Sequence, residues 1–258
     1  MNLINGECLQ EMKNIEDKSI DLIFCDLPYG QTNCKWDTKI DLEKFWKQIK
    51  RIRKDKTPIF FTTTTKYGID LINSNKKEFR YDLIWIKSST SGFLNSRKMP
   101  LRKHEMVYVF YKRLPMYDLS SHKHKFKNKK EDNGINRSRY EPPLPTSIIK
   151  KDIYGFDNNK KTDFKGRNSS SVYDPPLPTS LLEFKSTRGK HRTEKPISLM
   201  SWILKYYSKE NDNVLDSTMG SGSMGVACRK MKRKFIGIEM DDEIFKTAVK
   251  RISLNIND

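Results

Sequence analysis

Cysteine is scarce in this chain: Cys8, Cys25, Cys34 and Cys228 are the only four in 258 residues, and none forms a C-x-x-C pair. Such spacing supports neither a disulfide framework nor a zinc site, so no metal is expected. Long apolar runs are missing as well. None approaches the roughly 18 residues that cross a bilayer, and the start MNLINGECLQEMKN lacks the apolar stretch of a signal peptide. The expectation is a cytoplasmic protein. Acidic residues are the third shortage, with 32 Asp and Glu against 50 Lys and Arg, for a net charge of +18. A field of that sign gathers polyanions, nucleic acid first, with an anionic membrane surface as competitor and a merely solvated lysine-rich face as the plain alternative.

The length suits one α/β domain with an insertion, or two small domains. Apolar spacing predicts a strand over 1 to 5, a helix over 8 to 15, and a buried strand Ile20-Asp21-Leu22-Ile23-Phe24-Cys25 that enters the turn Asp26-Leu27-Pro28-Tyr29-Gly30. Leu42, Phe45, Trp46, Ile49 and Ile52 recur at helical spacing over 41 to 53. Strands are expected at 58 to 62, 81 to 86 and 105 to 111, with a helix near 66 to 75. This alternation implies a largely parallel sheet covered on both faces.

From 112 to 190 the chain turns to Pro, Ser, Asn and Lys, and the stretch is expected to stand outside the layered core as an insertion. Residues 112 to 139 hold nine Lys and Arg against three Asp and Glu, six of the +18. YEPPLPTSII from Tyr140 returns as YDPPLPTSLL from Tyr173, 33 residues on. Two copies are too few for a solenoid and read as extended, proline-stiffened braces. Thr193 is then expected to cap a helix from Pro196 through Tyr207. Strand 213 to 216, helix 223 to 232, strand 234 to 238 and helix 242 to 252 close the chain.

Two constellations carry chemistry. In Asn213-Val214-Leu215-Asp216-Ser217-Thr218-Met219-Gly220-Ser221-Gly222-Ser223 a buried strand ends in a carboxylate and enters a turn whose glycines admit a close ligand. The next strand delivers Glu239, 19 residues past Gly220, where a carboxylate suits ribose hydroxyls. With Gly225 the turn also fits G-x-G-x-x-G, which keeps NAD binding open, as does a purely structural βα turn. Asp216, however, favours a cationic methionine amine and repels a pyrophosphate.

The second constellation is Asp26-Leu27-Pro28-Tyr29, at the carboxyl end of a buried strand. An exocyclic base amine is a poor nucleophile because its lone pair is delocalised into the ring. Hydrogen bonds from it to Asp26 and to the Leu27 carbonyl return density to nitrogen, and Tyr29 is placed to stack on an extruded base. The plain alternative is a proline turn with a capping Asp and a core Tyr. Asp174-Pro175-Pro176-Leu177 looks similar but follows Ser169-Ser170-Ser171 instead of a buried strand, and it is set aside. No Pro-Cys pair exists, so a thiolate attack on a ring carbon has no candidate.

Taken together these residues resemble the β group of DNA amino-methyltransferases, in which a D-P-P-Y motif precedes the cofactor motif. The likeness spans about 1 to 115 and 190 to 258, through IDLIFCDLPYG, Lys35-Trp36-Asp37, SGFLNSRKMPLRKHE, HRTEKPISLM, LDSTMGSGSMGVAC and FIGIEMDDEIF. The resemblance implies a class I, S-adenosylmethionine-dependent fold: a Rossmann-like, seven-stranded, mostly parallel α/β sheet with an inserted target-recognition region. Residues 1–111 and 191–258 are then the catalytic and cofactor-binding parts of one domain, interrupted by 112–190, with the first strand beside the C-terminal unit.

The same resemblance assigns cofactor contacts to Asp216, Ser217, Gly220, Gly222 and Glu239, the framing of the methionine end to Thr193, Lys195 and Pro196, and an acidic contact near the adenine to Glu7. Each has a plain reading beside it, Thr193 as a cap, Lys195 as a solvated charge and Glu7 as a helix-start acid. Leu27 stands where the family has Pro, and Met219 where it commonly has Phe, both at positions used largely through backbone. Asp at the head of the tetrapeptide typifies adenine methylation and Ser the methylation of the cytosine amine. The implied reaction is methyl transfer to the 6-amino group of adenine in double-stranded DNA, after base flipping. Lys123, Lys125, Lys127 and Lys129, with Phe126, are candidate phosphate contacts, or else an unpartnered basic loop. A cytosine 4-amino methyltransferase, an RNA or protein amine methyltransferase and a non-enzymatic nucleic-acid-binding protein are the competing readings. A homodimer and a cognate restriction nuclease are partners that the resemblance allows.

Overall fold

The computed structural model describes residues 1–28, 30, 39–124, 173–185 and 194–254. In chain order these form β1 (Asn2–Asn5), α1 (Cys8–Glu11), β2 (Leu22–Cys25), α2 (Leu42–Ile52), β3 (Ile59–Thr63), α3 (Thr65–Ser74), β4 (Phe79–Ser91) and β5 (Arg102–Phe110). Two short strands follow, β6 (Lys123–His124) and β7 (Tyr173–Asp174). Then come β8 (Leu181–Phe184), α4 (Ile197–Tyr207), β9 (Asn213–Asp216), α5 (Ser223–Lys230), β10 (Lys234–Glu239) and α6 (Asp242–Leu254). The chain divides into two compact units, 1–118 with 180–258, and 119–179.

The larger unit is built on an eight-stranded sheet in the order β1-β10-β9-β2-β3-β5-β4-β8. Only β5 runs antiparallel to its neighbours. Every residue of β2 and β3 is buried, because central strands covered on both faces read as continuous apolar runs. From β2 the chain steps to β3 in one direction, and from β9 to β10 in the other. The order therefore reverses between β2 and β9, where Phe24 registers with Asp216. Open α/β sheets form their clefts at such a reversal, beyond the carboxyl ends of the strands.

Adjacent side chains of β3 point to opposite faces and show how both are covered. Phe61 meets Phe45 and Trp46 of α2 and Phe110 of β5, with ring centroids 5.5 to 6.1 Å apart. Phe60 meets Tyr207 of α4 at 5.0 Å. Asp41 starts α2 by accepting the Glu43 and Lys44 N–H groups, each at 3.1 Å, and the helix then buries Phe45, Trp46, Ile49 and Ile52 on one side. No helix of the described residues is long and apolar enough to cross a membrane.

Three features differ from the sequence-based expectation. The helix expected over 8 to 15 is α1 followed by a 3-10 turn, Met12–Asn14. α4 has Pro196 as its N-cap, three residues past the expected cap Thr193, which lies outside the described residues. The sheet has eight strands where seven were expected, and the additional strand, β8, falls inside the stretch expected to stand outside the core. It pairs in parallel with β4, buries Leu182, and its Phe184 carbonyl accepts the Trp85 indole N–H at 3.1 Å. Four residues with one buried side chain make an alternation too short to read. Residues 112–118 also belong to the larger unit, where the Asp118 N–H donates to the Tyr206 carbonyl at 2.8 Å.

In the smaller unit β6 pairs antiparallel with β7, Lys123 opposite Asp174. Nδ1 of His122 lies 2.7 Å from the Pro175 carbonyl oxygen. Lys125, Lys127, Lys129, Phe126 and the Tyr140 copy of the near-repeat lie outside the described residues.

Candidate active site

Because the strands of the larger unit run largely in one direction, their ends gather at one edge, around a cavity of about 1250 Å³. The end of β2 supplies Asp26, Leu27 and Pro28, the end of β9 supplies Asp216 and Ser217, and the end of β10 supplies Glu239. Glu7, Gly220 and Lys195 complete the predicted residues on its wall; Gly222 and Pro196 do not line it and are the N-caps of α5 and α4. Tyr29 lies outside the described residues.

On the β9 side, Asp216 is buried and accepts the Thr218 N–H at 3.2 Å. Burial pushes its carboxyl well above the usual carboxylate range, and the charges of Asp26 and Glu239 push the same way. The turn that follows holds Gly220 at φ +52° and Gly222 at φ +80°, a region that side chains rarely adopt. A Cβ on Gly220 would meet nothing within 4 Å, so the backbone there borders open space that a ligand can fill. The Gly220 and Asp241 N–H groups donate to the two oxygens of Glu239, at 3.0 and 2.9 Å. Burial raises the Glu239 carboxyl despite those bonds. With a carboxylate already seated on the turn amide, a pyrophosphate would meet like charge. This donor set fits a hydroxylated nucleoside joined to a cationic amino acid, and does not fit a dinucleotide.

Glu7 is occupied as the N-cap of α1, accepting the Leu9 and Gln10 N–H groups at 3.0 Å each. Ser217 Oγ lies 3.2 Å from the Cys25 thiol. Arg251 of α6 braces the same turn. It donates to the Ser221 carbonyl and hydroxyl at 2.8 Å each, and pairs with Glu194 just before α4.

On the β2 side, the Asp26 carboxylate is held from both oxygens. Thr62 Oγ1 donates to Oδ1 at 2.7 Å and Lys195 Nζ to Oδ2 at 2.6 Å. Lys195 Nζ also lies 3.6 Å from Glu105, whose other oxygen lies 3.2 Å from Lys87 Nζ. Burial works against the Lys195 charge, yet Asp26 and Glu105 outweigh it and hold the ammonium above the ordinary lysine value. Lys195, expected to frame the methionine end, lines the same cavity as Asp26 and Asp216; its ammonium donates to Asp26 and its charge also acts on Asp216. Among the cysteines, burial pushes the thiol of Cys8 up to about 12 and that of Cys25 well up. Both stay protonated at neutral pH.

Thr62, Lys87, Glu105, Glu194 and Arg251 carry no role in the sequence reading. Glu105 and Glu194 had a visible trace, since RKHE and HRTEKP stand among the segments that resemble the family. Nothing local in the sequence points to the other pairings.

A family model described as DNA methylase, covering N6 and N4 methyltransferases, matches residues 20–250. This chain belongs to that DNA methylase family. S-adenosylmethionine is the methyl donor of the family, and the open space beside Gly220 with the desolvated Asp216 and Glu239 fits it.

Among curated relatives, the Type II methyltransferase M.HinfI of Haemophilus influenzae is 26% identical over 279 residues, 97% of this chain and 67% of that protein. The DNA adenine methyltransferase YhdJ of Escherichia coli is 25% identical over 267 residues, 98% of this chain and 82% of that protein. Identity of 45% to the Type II methyltransferase M2.LlaDCHI of Lactococcus lactis subsp. cremoris is confined to 65 residues, 25% of this chain and 24% of the relative. Two solved structures share the fold. The M1.HpyAVI complex with S-adenosylmethionine has a TM-score of 0.61 at 19% identity, covering 97% of this chain and 98% of that one. The cytosine-N4-specific PvuII DNA methyltransferase has a TM-score of 0.63 at 15% identity, covering 99% and 90%.

Proposed function

We propose that this DNA methylase transfers a methyl group to the 6-amino group of adenine in duplex DNA, by direct in-line attack on a base flipped into the cavity. The observation that carries this reading is the fixed carboxylate of Asp26 at the β2–β9 reversal, in one cavity with Asp216 and Glu239. S-adenosylmethionine supplies a sulfonium methyl that leaves a neutral thioether when nitrogen takes it. Everything else is positioning and electrostatics from the chain.

Asp26 accepts an N–H of the target amine, and the Leu27 carbonyl accepts the other. A carboxylate presents about four lone-pair sites, enough for Thr62, Lys195 and a base amine. Holding both N–H bonds draws the nitrogen lone pair out of conjugation with the ring and directs it at the methyl. Lys195 is a positioning residue here: it fixes the Oδ2 oxygen of Asp26, and Glu105 keeps Lys195 in place. After the C–N bond forms, the surplus amine proton leaves through Asp26. Tyr29 stacks on the flipped ring. Asp216 and Glu239 hold the cationic amino acid and the ribose of the cofactor.

Adenine is favoured by the aspartate at the head of the tetrapeptide and by the adenine-specific name of YhdJ. Cytosine 4-amino transfer is the second reading, favoured by the fold shared with the N4-specific PvuII enzyme. The Type II names among the relatives support a cognate nuclease as partner. The deciding experiment is mass analysis of nucleosides from the DNA of cells expressing the chain, followed by mapping of the modified sites. 6-Methyladenine is expected; 4-methylcytosine would transfer the assignment to the second reading, and unmarked DNA would remove both.

A further inference from the structure

β4 and β5 are joined by residues 92–101, and that loop is an ordered turn with its apolar side chains outward. Gly92 at φ +89° opens a 3-10 turn over Phe93–Asn95. The Asn95, Ser96, Lys98 and Met99 N–H groups each find a carbonyl within the loop, at 2.9 to 3.0 Å. Its base is fixed by the pairing of Ser91 with Arg102. On this rigid support Phe93 is 80% exposed and Leu94 98% exposed, with Met99 and Leu101 beside them. Adjacent exposed apolar residues on an ordered turn mark a contact surface. The loop is also one-signed: Arg97, Lys98, Arg102 and Lys103 lie within it or beside it, and no acid occurs between Lys87 and Glu105. Gly92 to Asn95 and Arg102 line the cavity that holds Asp26, so the turn stands at its mouth.

We infer that Phe93 and Leu94 form a wedge that enters the DNA duplex at the target base, with Arg97, Lys98, Arg102 and Lys103 on the flanking phosphates. The inference rests on the DNA-methylation reading and extends it to the step before chemistry. Extruding a base forfeits its stacking and leaves a gap in the duplex. Apolar side chains inserted between base steps fill such gaps, and cations beside them hold the backbone in register. A wedge belongs at the mouth of the cavity that receives the base, and it must be apolar, protruding and stiff. Those are the properties of this turn. A second copy of the chain is the competing occupant of the apolar patch, but the four cations around it favour a polyanion.

The test compares two duplexes carrying the mapped site, one intact and one with an abasic position opposite the target, where the base is already unpaired. Methyl incorporation from labelled S-adenosylmethionine is measured on each. Phe93→Ala with Leu94→Ala is expected to lose about tenfold or more on the intact duplex, the scale of unstacking one step, and to recover near wild-type rates on the abasic one. Phe93→Leu with Leu94→Met, which keeps apolar bulk, is expected to retain activity on both. Arg97→Ala with Lys98→Ala is expected to weaken both duplexes alike and to lower the salt slope by about two. Equal loss of the alanine pair on both duplexes, full activity on both, or a change of oligomeric state in sedimentation would each overturn the wedge. Failure of the wild-type chain on both duplexes would instead remove the methylation reading beneath it.

Discussion

Two neighbouring strands of the sheet end in an aspartate, and the two ends are built to opposite plans. At the end of β2, Asp26 is balanced before any ligand arrives: Lys195 and Thr62 hold it, Glu105 backs Lys195, and Lys87 backs Glu105. At the end of β9, Asp216 and Glu239 accept only backbone N–H groups among their described hydrogen bonds, and burial raises both carboxyls. One half of the cleft is complete in charge and fixed in geometry. The other carries desolvated negative charge that a cationic ligand offsets. The difference supports the division of roles proposed above: a neutral base amine suits the balanced carboxylate, and a sulfonium amino acid suits the unbalanced pair.

The largest expected break in this comparison is Asp26→Ala. Removing a group positioned for the transition state costs roughly 10²- to 10³-fold in rate, whereas the cofactor half loses only the Asp26 charge that acts on Asp216. Single-turnover methyl transfer should fall by that much while calorimetric cofactor affinity stays within about threefold, well under one kcal/mol. A variant that transfers at near wild-type rates would end the assignment of Asp26.

Lys195 sharpens the boundary between the halves, because it donates to Asp26 while its charge also acts on Asp216. Lys195→Met should lower the turnover rate by about tenfold to a hundredfold, the scale of losing an orienting hydrogen bond to a reacting group. Cofactor affinity should hardly change, and Lys195→Arg should restore part of the rate. A weakened cofactor affinity with turnover intact would return Lys195 to the methionine end.

Why the contact of Lys195 with Asp26 was not legible, while the strand-end position of Asp26 was, follows from what a sequence records. Asp26 follows an unbroken apolar strand and precedes Leu-Pro-Tyr-Gly, so its place at a strand end is a local fact. Glu239 likewise sits a fixed 19 residues beyond Gly220, and their meeting at 3.0 Å follows from one strand-helix-strand unit. Lys195 meets Asp26 across 169 residues, and Thr62 meets it across 36. Thr62 reaches Asp26 because the sheet order sets β3 beside β2, and Lys195 reaches it from the residues just before α4; no local pattern encodes either arrangement. Glu105 stands opposite Trp85 in the antiparallel pairing of β4 with β5, so Lys87, two residues on, meets it diagonally, and that register is set by apolar neighbours such as Leu83 opposite Val107. β8 was illegible for another reason: a short edge strand with one buried leucine lacks the periodicity that made β2 plain.

The smallest expected effect is on the dependence of cofactor binding on pH, and it tests the unbalanced half alone. Asp216 and Glu239 have raised carboxyls in the ligand-free fold, so they retain protons above the ordinary carboxylate range; a bound cation favours their ionised forms and releases those protons. Affinity should therefore rise with pH from the ordinary carboxylate range up through the raised values, by at most about one proton per group. Stability of the ligand-free protein should run the other way. In that window the native state binds more protons than the unfolded chain, so the free energy of unfolding falls as pH rises. Asp26, Lys195 and Cys25 also face Asp216, and the Lys195 charge opposes the shift, which keeps the effect modest. Calorimetry of cofactor binding in buffers of different ionisation enthalpy counts the released protons, and Asp216→Asn with Glu239→Gln should abolish the release. Proton release that persists in the double variant would place the titrating groups elsewhere and dissolve the contrast between the two strand ends.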